Sequence, residues 1–153
     1  MDHTSAVSEY TVKFLHQLGI SDSVTVQVKY DKEADLYQIL FHTDQPSLLI
    51  GYHGDNLSAI QSILGLHFHS QFDQWINLSV NVNDYRERRE LTIHSLADTA
   101  VSRVLTTNHP HSLPPMSASE RRMVHMYLQD HPRVLTSSQG VGKSRSVVVS
   151  PKS

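Results

Sequence analysis

The sequence contains no cysteine. That removes disulfides, thiolate nucleophiles and Cys-type zinc sites, and it fits a reducing cytoplasm. No apolar run approaches the roughly 20 residues that a membrane-spanning helix needs. The opening MDHTSAVSEY also lacks the basic-then-apolar pattern of a secretory signal, so no membrane insertion is expected. Positive charge is scarce in the first half of the chain. Residues 1–83 hold three Lys/Arg (Lys13, Lys29, Lys32) against nine Asp/Glu, whereas residues 84–153 hold ten against six; −6 and +4 make up the overall −2. An acidic half followed by a basic half points to two modules, the second being the one to meet a polyanion. An unevenly charged solvated surface is the plain alternative.

What is present reads as alternating helices and strands. Val7, Tyr10, Phe14 and Leu18 recur at helical spacing over 5–18, and Gly19 follows where a helix commonly stops. VTVQVKY (24–30) alternates strictly, with Val24, Val26, Val28 and Tyr30 on one face. LYQILFH (36–42) does the same with Tyr37, Ile39 and Phe41, so the two are predicted to pair as a hairpin. PSLLIG is long enough for one or two helical turns. Asp55 is then placed to cap a helix that carries Leu57, Ile60, Ile63 and Leu64 inward. WINLSVNV (75–82) is a third strand.

From Asn83 or Asp84 a long helix runs to about Leu105 with the buried stripe Ile93, Leu96, Ala97, Ala100, Val101 and Val104. No Pro/Gly linker precedes it, so a rigid join is expected. NHPHSLPPM is irregular or an edge strand, and Ser117-Ala-Ser-Glu120 is a capping box that starts another helix. In that helix Met123, Val124, Tyr127 and Leu128 form the core side. RVLTSS and SRSVVVS, flanking QGVG, read as a closing hairpin.

Within this frame, Gly51-Tyr52-His53-Gly54 falls between two helices. Such a turn exposes backbone N–H groups at the start of the second helix, where the helix dipole favours a phosphate. Bulky side chains at Gly51 and Gly54 would block a sugar-phosphate chain, so both glycines are expected to make room for a ligand rather than for the protein itself. A bare turn is the alternative.

The order α-β-β-α-(GxxG)-α-β resembles a K-homology (KH) domain of the type II topology. With its second half included, the chain resembles the bacterial Jag family more specifically, in which a KH domain is joined to an R-three-H domain named for Arg-x-x-x-His. The stretches that carry the likeness are LIGYHGDNLSAIQSIL, VNVNDYRERRE, LPPMSASERRMVHMYLQDHP and SRSVVVSP, and it spans residues 5 to 151. It implies an α+β chain with a type II KH module over 1–83, packed against a small R-three-H module of helices on a short antiparallel sheet over 84–153. It further implies a cytoplasmic, non-enzymatic binder of single-stranded RNA, or of single-stranded DNA. Such a protein would be a post-transcriptional regulator linked to envelope growth and division. Many members carry an N-terminal domain and linker before the KH module, which this sequence is expected to lack. The family's loop usually holds a Lys or Arg, whereas this one has Tyr52 and His53. Phosphate attraction there is expected to be weaker, with Tyr52 available to stack on a base or sugar.

Arg121 and His125 match the Arg-x-x-x-His motif. Four apart on a helix, they are neighbours on one face; Arg121 offers a planar donor fork to phosphate, and His125 a donor or a stacking ring. Arg122, Arg133, Lys143 and Arg145 are candidates for a surrounding phosphate-contacting patch. Arg86, Arg88 and Arg89, interleaved with Glu87 and Glu90, are expected to pair along their own helix.

QGVGKS resembles the end of a P-loop. However, its first glycine would fall at Ser137 and a strand comes next, which argues against nucleotide hydrolysis. His67/His69 and His109/His111 have metal-compatible spacing without a completing ligand, so no metal and no cofactor is expected. Three classes stay open: an RNA binder, a protein-interaction adaptor in cell elongation or division, and an enzyme acting on nucleic acid, which has only QGVGKS and the histidine pairs in its favour. In the adaptor, the acidic KH half would dock a partner such as a second small KH protein instead of gripping RNA.

Overall fold

Two short sheets, each faced by helices, give the chain an α+β architecture, as expected. The computed structural model describes residues 3–152. Met1, Asp2 and Ser153, which the two predicted modules include at their ends, lie outside the described residues. The chain divides into two compact units, Met1–Arg86 and Glu87–Ser153.

The first unit runs α1 (Thr4–Gln17), β1 (Thr25–Asp31), β2 (Leu36–His42), α2 (Pro46–Ile50), α3 (Asp55–Phe72) and β3 (Asn77–Val82), the predicted order. β1 and β2 pair antiparallel with Val28 opposite Ile39, and β2 pairs parallel with β3, Ile39 opposite Val80. A parallel pair cannot be joined by a tight turn. The crossover is α2, the GYHG turn and α3, and this puts the turn at the junction of two helices. Tyr37, Ile39, Phe41, Val80 and Val82 of the sheet bury against Val7, Phe14 and Leu15 of α1 and Leu57, Ile60, Leu64 and Phe68 of α3.

Two predicted core positions are corrected. Leu18 is 51% exposed because α1 ends at Gln17 and Leu18 caps it from outside; Thr11 and Leu15 complete the buried stripe. Ile63 is 47% exposed because Leu64, one residue (about 100°) further round the helix, takes the inward direction with Phe68 one turn on.

The outer edge of β3 is closed by side chains. Val80 N–H donates to Gln61 Oε1 (3.1 Å), Arg86 Nε donates to Val80 O (2.7 Å), and Arg86 Nη2 donates to the same Gln61 oxygen (2.8 Å). The expectation that Arg86 pairs along its own helix is therefore corrected: it satisfies a strand edge that would otherwise present bare backbone groups.

α4 (Tyr85–Thr107) opens with the last residues of the first unit and continues in the second. The second unit adds β4 (His111–Ser112), α5 (Ala118–Leu128), β5 (Val134–Gln139) and β6 (Ser146–Pro151), with sheet order β4-β6-β5 and both pairings antiparallel. The edge segment, the capping box and the closing hairpin all fall where predicted. Central β6 buries Ser146, Val147, Val148 and Val149, while β5 alternates, turning Val134, Thr136 and Ser138 inward. Ile93, Ala97, Ala100 and Val104 of α4 pack with Val124 and Leu128 of α5 over Val134, Val147 and Val149. Tyr127 departs from its predicted core place. It is 44% exposed, with its hydroxyl donating to Asp98 (3.1 Å) and its ring stacked on His94. Among the described residues, no helix is long and apolar enough to cross a membrane.

Candidate nucleic-acid interface

Two places were predicted to hold a ligand, and the structure builds them differently. In the first unit Gly51 (φ +68°) ends α2 and Gly54 (φ +90°) starts α3. Both angles lie in the region that disfavours a Cβ. Gly54, not Asp55, is the N-cap of α3; Asp55 already has helical angles and puts its carboxylate in the first turn. A Cβ at Gly51 would come within 2.5 Å of Asn56 Cγ, whose Nδ2 donates to Leu48 O (2.8 Å) and so ties α3 to α2. A Cβ at Gly54 would meet the Tyr85 ring at 3.3 Å. The Cβ side of each glycine is thus filled by the protein's own side chains, against the expectation that both are kept bare for a ligand. At the start of α3 the Asp55 N–H donates to Tyr52 O, so the Asn56 and Leu57 N–H groups are the ones that helix geometry leaves without intrahelical carbonyl partners.

Between the glycines, His53 adopts a left-handed conformation (φ +51°). Its ring stacks on Tyr52 with centroids 4.0 Å apart, and its Nδ1 is buried without a hydrogen-bond partner. Tyr52 is 72% exposed and presents an aromatic face. Charge does not assist. No Lys or Arg occurs between Lys32 and Arg86, Arg86 is held at Val80, and Asp55 repels a phosphate at the helix start.

In the second unit α5 is anchored at its first turn. Ser117 Oγ accepts from Glu120 N, Ser117 N donates to Glu120 Oε2 (2.8 Å), and Arg89 Nε donates to Glu120 Oε1 (2.7 Å). Burial pushes the Glu120 carboxyl up, but the Arg89 hydrogen bond and charge together with the Ser117 hydrogen bonds outweigh it and hold the group below its ordinary range. Arg89 therefore pairs with another helix, which corrects the expectation of pairing along its own.

One residue on, Arg121 is half-buried with Nε shut off from solvent and unpartnered. His125, one turn further, has both ring nitrogens engaged: Nδ1 with Thr136 Oγ1 (2.7 Å) and Nε2 with Ser138 Oγ (2.9 Å). Burial first, and the Arg121 charge second, push its pKa below the ordinary value. A neutral imidazole donates at one nitrogen and accepts at the other, so it bridges two hydroxyls that β5 turns the same way. The two bonds lock α5 to β5 and leave Arg121 as the cation of the pair.

Of the remaining candidates, Arg122 is exposed about 100° round α5 from Arg121. Lys143 and Arg145 are exposed in the β5–β6 connection, near the Ser138 end of β5. Arg133 precedes β5 at the opposite end, roughly 20 Å away at about 3.3 Å per residue. It borders a separate cleft of about 220 Å³ with Asn108 and Lys152. The structure thus groups Arg121 with His125, places Lys143 and Arg145 near them, and sets Arg133 apart. Thr136 and Ser138, absent from the predicted site, had one signal: hydroxyls at i and i+2 on a strand.

His67 pairs with Gln71 and stacks on Tyr10, whereas His69 lies against Trp75, so this histidine pair diverges. Gly142–Ser144 form a single turn leading into a strand, unlike a P-loop.

Residues 91–151, most of the second unit, match the family model described as the R3H domain. Across most of its length the chain also aligns with bacterial proteins named RNA-binding protein KhpB. It is 31% identical over 145 residues to that of Lactiplantibacillus plantarum (94% of this chain, 44% of the relative). It is 29% identical over 148 residues to that of Clostridium symbiosum (95% and 67%), and 31% identical over 136 residues to that of Bacillus subtilis (88% and 64%). The likeness runs through both units of the chain, not the second alone. The chain spans 44% and 67% of the length of the first two relatives.

Proposed function

We propose that this chain binds single-stranded RNA without catalysis, as a type II KH module over 1–83 followed by an R3H module over 84–153. The observation that carries the reading is Arg121. Its helix is pinned by the Glu120–Arg89–Ser117 cluster and by the His125 bridge to β5, and its half-buried side chain has Nε enclosed and unpartnered among the described residues, which leaves the Nη groups as the ones to meet a ligand. A half-buried guanidinium held in this way suits a phosphate oxygen. Arg122, Lys143 and Arg145 add attraction, Arg133 adds a more distant contact, and the GYHG turn contributes a stacking face at Tyr52 and helix N–H groups. The names of the relatives and the R3H match support RNA as the ligand, with single-stranded DNA a weaker one. A cytoplasmic post-transcriptional role in envelope growth and division is inferred from the same kinship.

The test is a titration of single-stranded RNA at several salt concentrations. With Arg121, Arg122, Lys143 and Arg145 on phosphates, log K should fall with log salt at a slope of about −3. If the wild-type chain binds RNA no better than a variant with Arg121, Lys143 and Arg145 all changed to Gln, the adaptor reading replaces this one.

A second reading is favoured by one observation on the first unit. After Asp55, α3 carries no Asp, Glu, Lys or Arg. Its outward side shows Ile63 (47% exposed) and Leu66 (62%), with Leu18 and Leu48 rimming an apolar cleft of about 330 Å³. This surface suits a second small KH protein. Ile63→Asp should abolish such a complex while leaving the RNA titration unchanged; an intact complex would count against this docking face.

A further inference from the structure

The QGVGKS stretch is left without a role once nucleotide hydrolysis is set aside, yet its structure is specific. Val141 is 82% exposed at the tip of the β5–β6 connection. It is not carried on a slack loop. Ser144 donates to Val141 O through both its hydroxyl (2.8 Å) and its backbone N–H (3.2 Å), and Arg145 N donates to Gly142 O. Met116 N donates to Arg145 O, which fixes the base of the loop to the unit. Gly140 (φ +90°) permits the approach, since a Cβ there would meet Ser144 O at 3.1 Å. The tip therefore holds an apolar side chain in water on a fixed turn.

Its surroundings say what would cover it. Residues 84–130 contain six Lys/Arg and six Asp/Glu, whereas residues 131–153 contain four Lys/Arg and no acid. The whole excess positive charge of the second half thus sits on the hairpin segment. Lys143 and Arg145 are exposed directly after the tip. Ser138, bonded to His125, lies three residues before Val141. An apolar tip framed by cations, at the end of the strand that holds the Arg121–His125 pair, matches a polyanion whose phosphates alternate with flat apolar groups.

We propose that Val141 is a base-contacting residue, packing on a nucleobase of single-stranded RNA while Lys143 and Arg145 hold the flanking phosphates. This inference rests on the RNA-binding reading and extends the bound strand from Arg121 past the end of β5.

The experiment is a fluorescence-anisotropy titration of a labelled mixed-sequence 12-nucleotide RNA against the full chain at several salt concentrations, with inorganic polyphosphate as a second ligand that has no bases. Val141→Ser, at an exposed position, should keep the fold and weaken RNA binding about fivefold with an unchanged salt slope. Its polyphosphate affinity should equal the wild type's. Lys143→Gln should weaken both ligands and make the salt slope shallower by about 0.7. Wild-type RNA affinity in Val141→Ser would overturn the role of the tip while leaving the RNA reading intact. An equal loss on polyphosphate would also overturn it, by assigning the effect to loop shape. Absence of RNA binding by the wild-type chain at low salt would remove the RNA reading and this inference together.

Discussion

The GYHG turn and the Arg121–His125 face separate two things that a nucleic-acid site usually combines. The turn has shape: two glycines at positive φ, a helix start and an exposed Tyr52. It has no cation, and Asp55 stands at its mouth. The α5–β5 face has charge and anchorage, with a half-buried guanidinium, a neutral histidine bonded twice and a lowered carboxyl beneath them. Electrostatic attraction to phosphate dominates nucleic-acid affinity and its salt dependence. The second face should therefore set how tightly RNA is held, and the first how its backbone and bases are arranged.

This contrast can be broken or sharpened by four substitutions, taken from the largest effect down. Glu120→Ala leaves Arg89 without its partner and removes the capping box. It should destabilise the second unit by about 3 kcal/mol, the scale for truncating a buried pair, in denaturant unfolding. In the wild type, the lowered carboxyl means that the unfolded chain takes up the proton first as pH falls. Its contribution is present above about pH 4.5 and lost as pH falls through the lower folded-state value; an acid titration of folding checks the sign. Next, Arg121→Gln should weaken RNA binding about 10- to 100-fold, as expected for a hydrogen bond to a charged group, with a shallower salt slope and unchanged thermal stability. A loss of this size from Tyr52→Ala instead would invert the ranking of the two sites.

His125→Gln comes third. It should cost about 1 kcal/mol in stability and remove a pH dependence. The folded-state pKa of His125 lies below the ordinary 6.5. Wild-type stability should thus decline as pH falls from about 6.5 toward that lower value and then level off, while the variant stays flat there. Smallest is His53→Lys, which supplies the missing cation at a position already left-handed. Binding should tighten about threefold, with a salt slope steeper by about 0.7. An unchanged slope would mean that RNA does not reach the turn.

Much of this was legible because it is periodic or local. Strict alternation located β1, β2 and β3, the 117–120 spacing located the start of α5, and the order of elements placed GYHG in a crossover. Partnerships across elements left no such trace. Arg89 reads as one of a mixed run of charges until α5 brings Glu120 beside it, and Arg86 reads likewise until β3 offers a bare carbonyl. Tyr127 sits at a core-compatible spacing, yet its hydroxyl needs a partner and finds Asp98, which holds the ring at the surface. Ile63 lies a single helical step from the buried stripe, since a stripe read from sequence fixes the period more firmly than the phase, and Leu18 keeps the phase but falls just past the end of α1. The roles of Thr136 and Ser138 depend on a histidine in another element, and Gly51 and Gly54 were read without the Asn56 and Tyr85 side chains that fill their faces.

On the proposed RNA-binding reading, the closed edge of β3 bears on how copies of the chain behave when crowded along one strand. Neighbouring copies on a single polymer meet at high local concentration, and an unsatisfied strand edge invites them to zip together. With Val80 N–H and C=O already bonded to Gln61 and Arg86, that route is shut at the middle of the strand. The same closure should make the Val80 amide one of the slower in the first unit to exchange with solvent.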